Sequence, residues 1–284
     1  MRRRLDAELV RRELVPSRSA AQDLISAGKV LVSGSVALKS ARLVDPAESV
    51  TVLAERPRFV GRGGEKLDAA LQEFHLDPSG FRVLDAGAST GGFTDCLLQA
   101  GAREVTALDV GHGQLHESLR GDDRVHVVER TNLRFVTTSD FGEFDAVVAD
   151  LSFISLRTVM PNLAACARRG AWIVVLVKPQ FEAGRAEVSR GRGIVSDPEL
   201  WRGALDGVAS AAAAEGLDVC GAAVSPIRGG DGNVEFLLHL LRPERAPDVP
   251  SGALANTPSV ASLLQRVVDS VPVAAEERRT EVSS

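Results

Sequence analysis

The chain has no tyrosine, only two tryptophans and three cysteines among 284 residues, and no long apolar run. A helix that crosses a bilayer takes roughly 18 or more consecutive apolar residues, so nothing here reads as a membrane span. Cys96, Cys166 and Cys220 lie far apart and form no CxxC pair. That argues against both a disulfide framework and a zinc site, and each is expected to be a small buried apolar residue. His112, His116 and His126 show no ligand spacing with an acidic partner, and no metal is assigned. The start, Met1-Arg-Arg-Arg-Leu-Asp6, runs into an amphipathic segment instead of an apolar signal core, so cytoplasmic residence is the expectation.

What is present is ordinary for a soluble globular protein: 44% hydrophobic and 25% charged residues. The length suffices for one full α/β domain and a smaller companion. The net charge of −5 is unevenly distributed. Residues 1–60 hold eleven basic side chains against seven acidic ones, a local +4 on an acidic chain. Such asymmetry suggests that one end meets a polyanion.

Residues 1–54 read as a compact α+β unit. Leu5, Leu9, Val10 and Leu14 fall near helical spacing, and a second helix follows Ser17, its cap, and ends at Gly28. Lys29–Leu38 contains two apolar runs around Ser33-Gly34, the pattern of a hairpin, and Val50–Leu53 supplies another strand. Residues 55–64, rich in Pro, Gly and Arg, read as a linker. From 65 to 242 apolar strands alternate with helices, which predicts a doubly wound, mainly parallel sheet of the Rossmann-like type. Ligands of such sheets bind beyond the carboxyl ends of the strands. Residues 243–284 read as a flexible tail, Pro/Ala/Ser-rich over 243–258, with one short amphipathic helix over 260–271.

The strand 82–85 ends in Asp85 and opens into Ala-Gly87-Ala88-Ser89-Thr-Gly91-Gly-Phe93, a turn whose small residues let a ligand approach the backbone. Asp109 ends the next strand, where a carboxylate can accept the hydroxyls of a ribose. Nicotinamide dinucleotides use the same device, so the pattern alone leaves two cofactors open. Two details favour S-adenosylmethionine. Asp85 at the lip suits a sulfonium and an amine and repels a pyrophosphate, and the loop does not meet G-x-G-x-x-G. Asn132 is a further candidate, for the adenine edge.

Asp150 and Lys178 lie at strand ends on the ligand side, Glu235 lies in the apolar last strand, and Lys66 opens the domain. Unpaired, such charges would cost several kcal/mol to bury; paired around a site, they handle protons. A ribose 2′-hydroxyl is a poor nucleophile at neutral pH, and methylating it needs a cation that favours the alkoxide or an amine that takes the proton. Lys178 is expected beside the hydroxyl with Asp150 orienting it, and Lys66 and Glu235 completing the network. Arg62, Arg130 and Arg134 flank the site and are candidate phosphate contacts. With no tyrosine, Phe153 is the main candidate for base stacking.

Three resemblances follow from these motifs. Ser17-Arg-Ser-Ala-Ala21, Leu24-Ile25, Gly28 and Val30–Gly34 look like the alpha-L RNA-binding domain, which implies that Arg4 and Arg18 contact RNA phosphates. The four charged residues resemble the Lys-Asp-Lys-Glu tetrad of FtsJ-type 2′-O-methyltransferases. Gly61–Leu67, Asp85–Phe93, Asp150–Ser155, Val177–Glu182 and Gly232–Phe236 together resemble the TlyA family, also called haemolysin A, over about residues 4–240. That resemblance implies 2′-O-methylation of cytidine in ribosomal RNA of assembled subunits, the large and in some members also the small. The Arg-rich start and the helix near 260–271 look like the longer, dual-substrate type. In the family the interdomain linker matters for cofactor binding; here it carries Pro57-Arg-Phe-Val60. No obligate protein partner is evident. The rival readings are a non-catalytic RNA-binding assembly factor, a pore-forming haemolysin, a pseudouridine synthase and an NAD-dependent oxidoreductase.

Overall fold

The computed structural model describes residues 2–15, 17–53, 57–183, 193–244 and 259–271. The chain divides into two compact units, residues 1–58 and 59–284. Most of the segment 243–258 and the final residues expected to be flexible lie outside the described residues.

In the first unit a short strand β1 (Arg3–Arg4) leads directly into helix α1 (Leu5–Arg11), and α2 (Arg18–Ser26) follows. The Ser17 hydroxyl accepts the Ala20 N–H at 3.2 Å, the cap its position predicts. Strands β2 (Val30–Val32) and β3 (Ser35–Val36) form the hairpin, β4 (Leu43–Val44) pairs with β1, and β5 (Val50–Val52) lies on the other side of β2. Leu5, Leu9, Ala21, Ile25, Val30, Val32 and Val44 make the core of this unit.

The second unit begins earlier than the sequence suggests. Phe59 is buried among Leu67, Ala70 and Leu71, and helix α3 runs Gly63–Glu73. Two of the glycines that read as linker, Gly63 and Gly64, belong to this helix, where packing is close. A Cβ on Gly64 would lie 2.3 Å from the Phe59 ring, and one on Gly92 would lie 2.8 Å from the Gly64 nitrogen.

A seven-stranded sheet follows. Its strands are β6 (Arg82–Ala86), β7 (Glu104–Leu108), β8 (Val125–Val128), β9 (Phe144–Ala149), β10 (Ala167–Val177), β11 (Asp218–Val224) and β12 (Phe236–Leu241). The order across the sheet is β11-β12-β10-β9-β6-β7-β8. Strands β6 to β10 pair in parallel, and β12 is antiparallel to both β10 and β11. Helix α4 (Gly92–Gln99) follows β6, and α5 (Glu117–Arg120) and α6 (Thr138–Phe141) are short. Helices α7 (Leu156–Cys166) and α8 (Pro179–Glu182) follow β9 and β10. Helix α9 (Pro198–Ala214) is capped by Asp197, and α10 (Val260–Asp269) buries Leu264, Val267 and Val268 in the same core as α9.

One expectation fails. Cys96 and Cys166 are buried, but Cys220 is exposed. The pairing of β11 with β12 slips between Val219 and Gly221, and the extra residue of that bulge points outward.

Candidate active site

Two adjoining cavities open at the carboxyl ends of the parallel strands. The larger, about 650 Å³, is lined by the ends of β6, β7 and β9 and by the 3-10 turn Leu133–Phe135. The smaller, about 250 Å³, is lined by Lys66, Asp150, Lys178 and the loop that follows β6. Gly87, Ser89, Asp150 and Ser152 line both. Gly87 makes this closeness possible: its φ is +89°, and a Cβ there would lie 2.5 Å from the Asp150 carbonyl oxygen.

In the larger cavity Asp109 is held by two backbone donors, the N–H of Ser89 at 2.8 Å and of Gly111 at 2.6 Å. Each carboxylate oxygen keeps lone-pair capacity for a ligand hydroxyl. Leu108, Val110, Leu133, Ile154 and Val159 supply apolar wall. Asn132 lines the cavity while its Oδ1 accepts the Arg134 N–H at 3.0 Å, so it is also a turn cap. Asp85 lies beneath the loop, fully buried. Its Oδ2 accepts the Thr94 hydroxyl at 2.6 Å, and its Oδ1 has no partner. Burial pushes its pKa up to about 7, against the opposing Thr94 bond. Asp85 lines neither cavity, so it is not at the lip as the sequence suggests, and its orphaned carboxylate lies beneath the loop. The fixed Asp109 carboxylate and the apolar wall fit the ribose and adenine parts of S-adenosylmethionine.

Ala88 and Phe93 line the smaller cavity with Gly87 and Ser89. Gly91 lines neither, and a Cβ on it would meet Leu115 and Leu119.

The four charged residues of the proposed tetrad form two pairs. Lys178 Nζ lies 2.6 Å from Asp150 Oδ1 and donates to Ser152 Oγ at 2.9 Å. Lys66 Nζ donates to Glu235 Oε2 at 2.5 Å. Topology brings them together. Strand β12 runs against its neighbours, so its first residues lie at the sheet end where the parallel strands finish. Val177 is paired with Phe236, which sets Lys178 and Glu235 beside each other in register.

The sequence-predicted arginines are distributed differently. Arg62 lines the smaller cavity and Arg134 the larger, while Arg130 is exposed at a left-handed backbone position, φ 54°. In the first unit Arg4 and Arg18 converge on the buried Asp6, at 3.0 and 2.9 Å. The Arg4 bond above all, with Arg18 and Gln22, holds the Asp6 carboxyl far below its ordinary range. Phe153 is 92% exposed, with its ring 5.3 Å from that of Phe181.

Sequence reasoning missed Arg228, which lines the smaller cavity from the loop after β11, and Gln114 in the larger one. It also missed Glu182, which is buried and ties two site loops together. Glu182 accepts the Ser155 hydroxyl at 2.6 Å and the Leu156 N–H at 2.7 Å. Neither Arg228 nor Gln114 has a periodicity or strand-end position that would single it out.

Comparison with known families agrees with this geometry. Residues 59–242 match the FtsJ-like methyltransferase family and residues 3–50 the S4 domain. The 16S/23S rRNA (cytidine-2′-O)-methyltransferase TlyA of Mycobacterium tuberculosis is 52% identical over 241 residues, 84% of this chain and 90% of that protein. The chain belongs to the TlyA family. Hemolysin A of Brachyspira hyodysenteriae, 39% identical over 240 residues, covers 84% of this chain and 99% of its own length. A solved hemolysin structure from Streptococcus thermophilus superposes with a TM-score of 0.71 at 38% identity, covering 94% of each chain. This TlyA-family chain therefore carries an S4 RNA-binding domain before an FtsJ-like domain of the class that uses S-adenosylmethionine. Among its described residues no helix is long and apolar enough to cross a membrane.

Proposed function

We propose that the chain transfers the methyl group of S-adenosylmethionine to the 2′-hydroxyl of a cytidine ribose in ribosomal RNA, acting in the cytoplasm on assembled large subunits and on small subunits as well. The observation that carries this reading is the shared wall of the two cavities. Asp150 and Ser152 border the cavity suited to the cofactor and, with Lys178, the one suited to a ribose. The cofactor, when bound, supplies an electrophilic methyl group.

The protein's own residues do the rest. The Lys178 ammonium is fixed by Asp150 and Ser152, so its charge stabilises the developing 2′-alkoxide without reorganising while the hydroxyl proton passes to solvent water. Lys66 borders the same cavity, is held by Glu235, and orients the ribose. Arg62 there, Arg134 at the cofactor cavity, Arg130 nearby, and Arg4 and Arg18 in the S4 domain serve as phosphate contacts. The base named, cytidine, follows the relatives' activity.

The test is methyl transfer from labelled S-adenosylmethionine to purified, unmodified small and large subunits by wild type and Lys178→Ala. Label in 2′-O-methylcytidine, lost in the variant while cofactor binding persists, is expected. Tight RNA binding with no label in either subunit would overturn catalysis and favour the assembly-factor reading.

A further inference from the structure

The smaller cavity holds more positive charge than the proposed tetrad uses. Lys66 and Lys178 are each paired with a carboxylate. Arg62 and Arg228 also line the cavity, and among the described residues neither forms an ion pair. They come from distant parts of the chain, one just before α3 and the other in the loop between β11 and β12.

The loop that carries Arg228 is built to hold it. The Gly229 N–H donates to the Asn233 carbonyl and the Gly232 N–H to the Gly229 carbonyl, each at 2.9 Å. Asn233 is 1% exposed; its Oδ1 accepts the Val195 N–H at 2.8 Å and its Nδ2 donates to the Gly193 carbonyl at 2.9 Å. Arg228 Nη1 donates to the Gly232 carbonyl at 3.1 Å, which props the guanidinium across its own turn. Its remaining N–H groups stay free for a bidentate acceptor, which the two non-bridging oxygens of a phosphate provide.

We propose that Arg228 is a substrate-positioning residue that binds a backbone phosphate of the RNA next to the target ribose, acting with Arg62 to bracket that nucleotide over the tetrad. This rests on the RNA-methyltransferase reading above. The cofactor's carboxylate is the rival anion, since the loop Gly87–Phe93 also borders the smaller cavity, and the cofactor Kd measured below separates the two. The loop also touches the tetrad itself. The Ser225 N–H donates to the Glu235 carbonyl at 2.9 Å, and a Cβ on Gly229 would lie 2.6 Å from Glu235 Oε1. A phosphate seated on Arg228 therefore rests on the same segment that positions the Lys66–Glu235 pair.

The experiment compares wild type, Arg228→Ala and Arg228→Lys on unmodified ribosomal subunits. It reads kcat, KM for subunits, Kd for S-adenosylmethionine, and the salt dependence of subunit binding. Arg228→Ala is expected to raise KM about tenfold, roughly the worth of one charged hydrogen bond, with the loss falling on KM more than on kcat. The slope of log affinity against log salt should fall by about 1. Arg228→Lys should keep the charge-dependent slope and recover part of KM, and cofactor Kd should not move. An unchanged KM and slope would overturn the proposal, as would a weakened cofactor Kd, which would make Arg228 a cofactor ligand. A fall in kcat alone would also overturn it, by placing its effect on Glu235. If wild type transfers no methyl group, the enzymatic reading fails, and the salt slope of binding still decides whether Arg228 holds a phosphate.

Discussion

At the scale of single residues, Asp85 is the group whose chemistry the fold alters most. Its carboxyl is sealed from water with one oxygen unpartnered, and its pKa stands at about 7. Because the folded value lies above the unfolded one, the native state binds the extra proton between about pH 4 and 7. Stability from this group is therefore full below that window and lost as pH rises through it. A cationic ligand favours the ionised form, so affinity for S-adenosylmethionine should rise from pH 6 to pH 8. Asp85→Asn should flatten that rise, bind the cofactor more weakly at pH 8, and melt no earlier than wild type there. Calorimetric titration and thermal melts at both pH values check it; a steep pH dependence surviving in the variant would refute it.

Gly229 makes a second residue-scale case. The atom that a Cβ would crowd is the end of a flexible side chain, Glu235 Oε1. The cost should then fall on the position of Glu235 and not on folding. Gly229→Ala is expected to keep its melting temperature and lose roughly 10- to 100-fold in kcat, the scale of a 1 Å misplacement.

At the scale of elements, two site loops are joined by one carboxylate. The loop after β9 carries Asp150 and Ser152, and the segment after β10 carries Lys178. Glu182, at the end of α8, holds Ser155 and Leu156 at the start of α7 and so ties the second segment to the first. Removing it leaves a buried N–H without an acceptor, at a cost of about 1–3 kcal/mol. Glu182→Ala should therefore lower both the melting temperature and kcat, and Glu182→Gln should recover part of each, since its amide oxygen still accepts one bond.

The elements were also where the sequence was most and least readable. Runs such as Ala146–Ala149 and Ile173–Val177 are apolar on both faces and could hardly be anything but central strands. Ser17 marked its helix correctly by its chemistry. The start of the second unit was obscure because Gly61–Gly64 reads as a turn, while its smallness serves a close helix contact that no local pattern announces. Asp150, Lys178 and Glu235 stood out as charges in or at the ends of apolar stretches, and Lys66 by its place at the opening of the domain. Arg228 and Glu182 did not, since each lies outside the apolar strands and its significance comes from what lies across the fold. Cys220 was misread for a similar reason, a bulge that the composition of β11 does not signal.

At the scale of the whole molecule, each of the two units has its own core, Leu5 to Val44 in one and the sheet with its helices in the other. All the residues that line the two cavities belong to the second. Residues 57–284 expressed alone should therefore fold and bind S-adenosylmethionine, yet methylate subunits far less well, because the S4 domain with Arg4 and Arg18 is gone. Cofactor titration and subunit labelling separate the two functions; equal labelling by the truncated chain would show that the S4 domain does not recruit the substrate.

The antiparallel strand β12 also gives the molecule a history. The cofactor cavity is assembled mainly from residues between Gly87 and Val159, a contiguous stretch of chain. Lys66 meets Glu235 across 169 residues, at the start of a strand that must slide between β10 and β11 before β11 has a strand partner. Contacts between such distant residues form late, since a long loop has to close before they are rewarded. In a refolding time course, fluorescence of a bound cofactor analogue should return before methyl transfer does. A newly made chain would thus hold its methyl donor before it is able to use it.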